Sequence, residues 1–341
     1  MSTSFVPPSR RVLIDCVRSA VTAPSLHNSQ PWLFRIDGPA VEVYADHGRL
    51  LRVVDPEGRE QMISVGAAVF TLRVAVRRSG YQTRVQLLPS SDDPALVARV
   101  SAARPARLDK VTEALAAAIP HRHTNRGPFA QVPVPRQALS RLRDAAAQEG
   151  AILRVAEGES RDAVLEMART ADRWLRERPE YAREMRRWTG ETYHDGVPTW
   201  AAGPWDALGV IPVRDFSRLP RLLRPSEPYE PHPTILVLVT EGDTRLDWLR
   251  AGQALQRVLL TATWLGLAAT PISQPVEVPT VRRILTGTPA LPVQIVLRIG
   301  YGRTTGRTPR RAVTEVLMPD GPSDPATSGP EEPSVGVERT R

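Results

Sequence analysis

Ala23-Pro24-Ser25-Leu26-His27-Asn28-Ser29-Gln30-Pro31-Trp32 is the stretch that decides how this chain is read. Pro24 ends a helix, because it lacks the N–H that the next turn would need. Short polar side chains then follow one another up to a second proline. A stretch of this kind forms a fixed, non-repetitive loop offering several donors and acceptors. It can read the heteroatoms of a planar ring. It can equally be a plain helix-to-strand connection in which Asn28 and Gln30 bond local backbone.

Working outward, residues 9–23 read as a helix, with Val12, Leu13, Cys16, Val17 and Ala20 at helical spacing. On the other side, residues 32–36 and 41–44 flank Asp37-Gly38-Pro39 as a β-hairpin. A long helix over 58–79 carries an apolar face of Met62, Val65, Val69, Leu72 and Val76, and strands at 82–88 and 95–100 complete a first half, residues 1–105. The second half, 106–318, has helices at 109–119 and 135–148, a strand at 152–155, and charged helices at 160–177 and 179–189. It continues with a strand at 235–240, a helix at 245–265 that is apolar on nearly every side and therefore central, and a strand at 293–299. Residues 190–233 are rich in Pro and Trp with little periodicity, and a segment that long is expected to be a lid or a binding loop. Trp200 and Trp205 within it suit stacking on a ligand or packing at an edge. Residues 319–341 have little to bury and are expected to form a disordered tail.

The two halves echo each other. Gly66-Ala-Ala-Val69 precedes Gly80, and Gly252-Gln-Ala-Leu255 precedes Gly266, by the same fourteen residues. Each half reads helix, strand, long helix, strand, with Pro8 and Pro135 opening the first helices. A degenerate tandem duplication explains this pattern, whereas solenoid-type short repeats are absent.

Composition narrows the function classes. With 341 residues, 41% hydrophobic and 24% charged, the chain is globular in character. Its aliphatic runs fall far short of the roughly 20 residues that cross a bilayer, and the N-terminus lacks a signal-peptide apolar core. A cytoplasmic location and no membrane partner are expected. The single cysteine, Cys16, excludes an internal disulfide and reads as core filler. The net charge of +8 comes from one lysine, Lys110, and arginines dispersed through most elements, without helix-turn-helix or zinc-finger spacing, so nucleic acid is not an expected partner. His27, His121 and His123 lack metal-ligand spacing with acidic residues, and no metal is expected. No Walker loop, HExxH or GxSxG occurs. Gly300-Tyr-Gly302-Arg-Thr-Thr-Gly306 follows a strand, but Pro309 and clustered arginines follow it instead of a helix that could receive a pyrophosphate, so it reads as a turn.

Three pieces of the chain resemble the FMN-dependent nitroreductase family. Pro24-Ser25-x-x-Asn28-x-Gln30-Pro31-Trp32 is similar to that family's Pro-Ser-x-x-Asn-x-Gln-Pro-Trp loop. Arg122-His-Thr-Asn-Arg126 resembles its Arg-x-Ser/Thr-x-Arg/Lys phosphate and ribityl site, for which a guanidinium fork and a hydroxyl are suited. Trp264-Leu-Gly-Leu-Ala-Ala-Thr-Pro-Ile272 is similar to the end of its central helix and the stretch passing the flavin N5. Arg310 and Arg311 stand where the family has a C-terminal basic phosphate contact, with Arg311 preferred.

The Arg motif follows the Pro-Ser loop here, the reverse of the usual order. That arrangement most resembles the actinobacterial Acg-like branch, over residues 10–317. The resemblance implies an α+β fold with a mixed sheet and flanking helices, built as two tandem halves that form an intrachain pseudo-dimer. It implies one FMN per chain, with Ser25, Asn28 and Gln30 on the ring side, Arg122, Thr124, Arg126, Arg310 and Arg311 toward the phosphate, and Ile272 and Ser273 beside the ring. The implied chemistry belongs to the flavin, with no catalytic side chain required. NAD(P)H would be the reductant and a nitroaromatic, quinone or similar small molecule the acceptor, in a monomer or homodimer. Storage of FMN under the lid is the alternative. Ser273-Gln274-Pro275 departs from the Glu-Gly or Gly-rich turn of many nitroreductases, which bears on nicotinamide access.

Overall fold

Ser9 sets the start of the first helix: its backbone is extended and its side chain accepts the Val12 N–H, so α1 spans Arg10–Ala20 and buries Leu13, Cys16, Val17 and Ala20. In the computed structural model, which describes residues 6–190, 194–216, 224–287 and 291–319, β1 (Trp32–Asp37) and β2 (Ala40–Ala45) then pair antiparallel with Asp37 opposite Ala40. Gly38 turns the hairpin at φ 53°, a left-handed conformation that glycine adopts without a Cβ penalty. The long helix α2 (Arg59–Arg78), β3 (Tyr81–Leu87) and β4 (Leu96–Pro105) complete a sheet of order β1-β2-β4-β3.

Next come α3 (Lys110–Ala118), α4 (Arg136–Ala147), β5 (Ile152–Ala156), α5 (Gly158–Arg176) and α6 (Pro179–Arg187). The two-residue strands β6 (Trp205–Asp206) and β7 (Ser226–Glu227) precede β8 (Thr234–Val239), α7 (Arg245–Trp264) and β9 (Ala268–Ile272). The short helices α8 (Gln274–Glu277) and α9 (Pro279–Thr286), β10 (Val293–Gly300) and α10 (Val313–Val316) finish the described chain.

The second sheet has the order β5-β8-β10-β9. Counted among its own four strands, each sheet therefore runs first, second, fourth, third, and in each the long helix lies between the second and third of them. Neighbours within these two sheets are antiparallel. Among the described residues, parallel pairing is confined to the separate β6–β7 pair and to the isolated bridges Phe34–Leu317, Thr124–Ala269 and Thr189–Val197.

Periodicity gave α2 a single apolar face, yet the structure buries it almost all round, from Arg59 to Val76, with Arg73 left partly open. The reason is tertiary: α1 and the first sheet cover one side, and α7 packs along the other. β9 was not legible as a strand, because Ala268-Ala-Thr-Pro-Ile272 is short and contains a proline. Pro271 is tolerated since β9 is the edge strand of its sheet, paired to β10 on one side and touched on the other by the single bridge from Thr124 to Ala269. The 190–233 segment is more structured than its composition implies: it holds a 3₁₀ turn at Thr199–Ala202 and the β6–β7 pair. Ile211 and Tyr229 from this segment pack against β8 and β10 in one hydrophobic cluster, so it lies over the second sheet. Residues 320–341 of the expected tail lie outside the described residues. No described helix is long and apolar enough to cross a membrane.

Candidate functional site

The loop after α1 holds non-glycine residues in the left-handed region: His27 at φ 48°, Asn28 at 56° and Gln30 at 50°. Such backbone is costly and persists only where the surroundings over-determine it. Here the constraints are visible. Ser25 Oγ accepts the Gln30 N–H at 2.9 Å. Asn28 Nδ2 donates to the carbonyls of Gly196 (2.9 Å) and Pro309 (3.0 Å), while its Oδ1 accepts from Arg310 at 2.8 Å. Gln30 Nε2 donates to the His194 carbonyl at 2.8 Å, and its Oε1 accepts the Arg311 N–H at 2.8 Å. The loop is thus tied to the 194–196 segment and to the C-terminal strap at 309–311.

Three polar residues were expected to face a ring, and the structure separates them. Ser25 lines one cavity, Asn28 lines a smaller adjoining one, and Gln30 lines only neighbouring protein. Gln30 is a fastener instead. Its side-chain amide is engaged by distant backbone, which a sequence-local reading cannot anticipate.

The larger cavity draws on both halves of the chain. Ser25, Glu60 and Ser64 come from the first half, and Thr124, Ile272 and Ser273 from the second, while Arg214, Phe216 and Tyr229 of the overlying segment close it. Two buried polar atoms of residues in this wall have no hydrogen-bond partner among the described residues: His27 Nε2 and Glu60 Oε2. Burial, with Arg214 and Arg126 nearby, holds the His27 imidazole well below its usual range and therefore neutral. Burial likewise raises the Glu60 carboxyl well above the carboxylate range, against the pull of Arg59. Sequence reasoning missed both residues. His27 carried no metal spacing, and Glu60 looked like any first-turn helix acid.

The smaller cavity shares Pro24, Ser25, Thr124 and Arg126 with the larger and adds Arg122, His123 and Arg310. Arg122 is buried and donates only to the Thr22 carbonyl, at 3.2 Å, among the described residues. Arg126 donates to the Ala201 carbonyl at 3.0 Å and lies 4.8 Å from the Phe216 ring centroid. Arg310 donates to Asn28 Oδ1 and to Thr308 Oγ1 at 2.7 Å. None of these three guanidiniums has a carboxylate at ion-pair distance among the described residues, unlike the buried Arg214 with Glu277 or Arg298 with Glu230. Burial lowers Arg122 to about 10, Arg126 to about 10 and Arg310 to about 9, so all stay charged at neutral pH. Burial and then Arg122 depress His123 to about 4, leaving it neutral.

Arg311 departs from expectation. It donates to the carbonyls of Gln30 (3.3 Å) and Glu315 (2.8 Å), lies 3.6 Å from an Asp46 carboxylate oxygen, and lines neither of these two cavities but a third, which it shares with Arg122, His123 and Arg310. Of the adjacent pair, Arg310 faces inward. Ile272 and Ser273, at the end of β9, both line the larger cavity, and Ser273 Oγ accepts from Arg214 at 3.2 Å. Among the described residues no group of His, Cys, Asp and Glu could hold a metal ion.

A largely apolar chamber opening onto uncompensated cations suits a flat ligand that ends in an anion. Known proteins sharpen this. No family model matches the chain. A Mycobacterium tuberculosis protein bearing the name NAD(P)H nitroreductase Rv3131 is 36% identical over 329 residues, spanning 93% of this chain and 93% of that one. The chain belongs to the nitroreductase family. A second M. tuberculosis nitroreductase relative, Acg, is 32% identical over 327 residues, covering 91% of this chain and 97% of its own. A solved Bacteroides fragilis nitroreductase with bound FMN aligns at 17% identity and a TM-score of 0.35, covering 66% of this chain and 100% of that one.

Within this nitroreductase-family chain, the cavity's cover is held by a buried latch. Arg214 Nη2 donates to both Glu277 carboxylate oxygens at 2.7 Å, and its Nη1 donates to the Tyr181 hydroxyl at 2.7 Å. Gln274 Nε2 adds a hydrogen bond to the Pro212 carbonyl at 3.1 Å. Burial disfavours the Arg214 charge, but Glu277 outweighs it and Arg214 is held more firmly protonated than a free arginine.

Proposed function

We propose that this chain is an FMN-binding oxidoreductase of the nitroreductase type that moves electrons from NAD(P)H to a nitroaromatic, quinone or similar small acceptor. The observation that carries the reading is the trio Arg122, Arg126 and Arg310, cationic and without acid partners among the described residues beside the chamber. Buried cations left unpaired are costly, and a phosphate offsets that cost with charge-assisted hydrogen bonds. In this reading Arg122, Thr124, Arg126 and Arg310 hold the phosphate, while Ser25, Ile272 and Ser273 border the ring and Asn28 stands between. Gln30 and Arg311 fasten the loop to the strap. FMN, when bound, supplies the two-electron chemistry. The chain's residues orient it, and the covering segment excludes water.

The matching strand orders support two halves, residues 1–105 and 106–318, descended from one duplicated unit and sharing a single FMN per chain. The reading includes a cytoplasmic protein, a monomer or homodimer, without nucleic-acid or membrane partners. The Arg214–Glu277 latch is the observation that favours the storage alternative, since a firmly closed cover would hold FMN away from substrates.

One experiment tests both. Bands of oxidised flavin in the absorbance spectrum of the purified protein, with NAD(P)H consumed when a quinone is added, support the oxidoreductase. Bound flavin without NAD(P)H consumption favours storage, and a protein that stays colourless with added FMN overturns both.

A further inference from the structure

Glu60 opens α2 in the wall of the larger cavity and is only 3% exposed. It belongs to a buried cluster in which each of the other carboxyls is satisfied. Asp55 accepts the N–H groups of Glu60 (3.0 Å) and Gln61 (2.7 Å), one on each oxygen. Glu277, on α8, accepts Arg214 at both oxygens. Among the described residues Glu60 pairs with Arg59 alone, whose Nη2 lies 3.3 Å from Oε1. Arg59 is largely occupied elsewhere, donating to the Gln294 backbone oxygen at 2.8 Å, to its side-chain oxygen at 3.1 Å and to the Val276 carbonyl at 3.4 Å. Glu60 Oε2 has no partner at all among the described residues.

The charges agree with this geometry. The groups that face Glu60 electrostatically are Arg59 on its own helix, Asp55 in the preceding loop, Glu277 on α8 and Arg214 from the cover. Behind them, Arg282 pairs with Asp243 and Arg176 with Asp172, so those charges cancel locally. Among these nearest groups, all ionised, the carboxyls Asp55, Glu60 and Glu277 outnumber the guanidiniums Arg59 and Arg214 by one, with Arg126 of the same wall outside this set. A single retained proton restores neutrality, and the oxygen without a partner is where it costs least to hold. An O–H there is in turn an unsatisfied buried donor, which a ligand oxygen would complete.

We propose that Glu60 stands in the cavity wall as an uncharged carboxylic acid and donates a hydrogen bond from Oε2 to an uncharged carbonyl or nitro oxygen of the cavity's ligand. The proposal rests on the reading of this cavity as the flavin and acceptor site. Two ligands offer such an oxygen: the flavin ring itself, or the small acceptor. The donor selects for ligands with an accepting oxygen at that point and against isosteres that place a C–H group there and leave the O–H unsatisfied.

The test compares wild type with Glu60→Gln, which keeps the shape and a donor but no ionisable proton, and Glu60→Leu, which has no donor. Infrared difference spectra at neutral pH should show a protonated carboxyl C=O band in wild type that both variants lack. Riboflavin is titrated into each protein, and 1,4-benzoquinone is titrated into each with FMN present and no reductant. For one of the two ligands, wild-type affinity should fall as pH rises through the range in which the band disappears. For that ligand Glu60→Gln should bind independently of pH and Glu60→Leu roughly three- to tenfold more weakly. Which ligand responds tells the flavin ring from the acceptor. No band lost on substitution, or equal affinities in all three proteins for both ligands, overturns the proposal. A protein that takes up no flavin removes the wider functional reading, while the infrared band and the benzoquinone titration of the apoprotein still decide Glu60.

Discussion

Gly66 and Gly252 face each other where α2 crosses α7, each lying where the other helix's side chain would have to be. A Cβ on Gly66 would meet Gly252 Cα at 3.0 Å and press into the Leu249 carbonyl. One on Gly252 would meet Gly66 Cα at 2.9 Å and press into the Ile63 carbonyl. Leu249 precedes Gly252 by three residues, as Ile63 precedes Gly66. The contact therefore reads the same in both directions, which is how an isologous two-fold interface is built. Here it lies within a single chain.

Gly66→Ala and Gly252→Ala should each destabilise the protein by about 1–3 kcal/mol through overpacking of this crossing. Helix propensity alone would give the opposite sign, a gain of up to about 1 kcal/mol. Urea unfolding of the single variants decides between the two effects. The double variant should lose less than the sum, since one separation of the helices relieves both clashes.

Arg122→Ala and Arg310→Ala should each weaken FMN by roughly ten- to a hundredfold, the loss expected for a charged hydrogen bond. Riboflavin binding should not change, because it lacks the phosphate. Arg311→Ala should have a smaller effect on FMN than Arg310→Ala, since Arg310 lines the smaller cavity and Arg311 does not. Titrations followed by flavin absorbance should give one FMN per chain. Equal losses for both ligands would remove these arginines from the phosphate role.

Arg214→Met leaves Glu277 buried without its partner and should loosen the cover. Bound FMN should dissociate at least tenfold faster, and limited proteolysis should cut within residues 206–230 sooner. The double variant Arg214→Met/Glu277→Met should behave closer to wild type, because no orphaned charge remains. An unchanged dissociation rate in the single variant would mean that the latch does not control access.

Asp243 governs part of the acid stability. Burial would raise its carboxyl, but hydrogen bonds from Arg282, Gln294 and Trp248 hold it at about 2. An unfolded aspartate titrates near about 3.9. Its contribution is therefore complete above about pH 4 and disappears as pH falls through about 2. Asp243→Asn should be less stable than wild type at pH 7, with the gap closing toward pH 2 in chemical denaturation. A constant gap across that range would rule out the ionised carboxylate as its source.

The sequence by itself determined the elements whose signals are local. The spacing of Leu13, Cys16, Val17 and Ala20 marks α1 ahead of Pro24, Asp37-Gly38 turns the first hairpin, and the apolar face of 58–79 and the apolar content of 245–265 mark the long helices. The matched glycines raised the expectation of two related halves, although not that these glycines touch. The residue types of the 23–32 loop and of 122–126 pointed to a ligand site. What each of those residues does there was decided by tertiary structure. Gln30 and Arg311 bond to each other's segment across most of the chain length, so only the folded path shows them as fasteners. Arg122, Arg126 and Arg310 matter because no acid lies near them, an absence among the described residues that exists only in three dimensions. His27 and Glu60 are ordinary polar residues in the sequence. Burial without a partner, which depends on everything packed around them, is what makes them candidates for contact with a ligand.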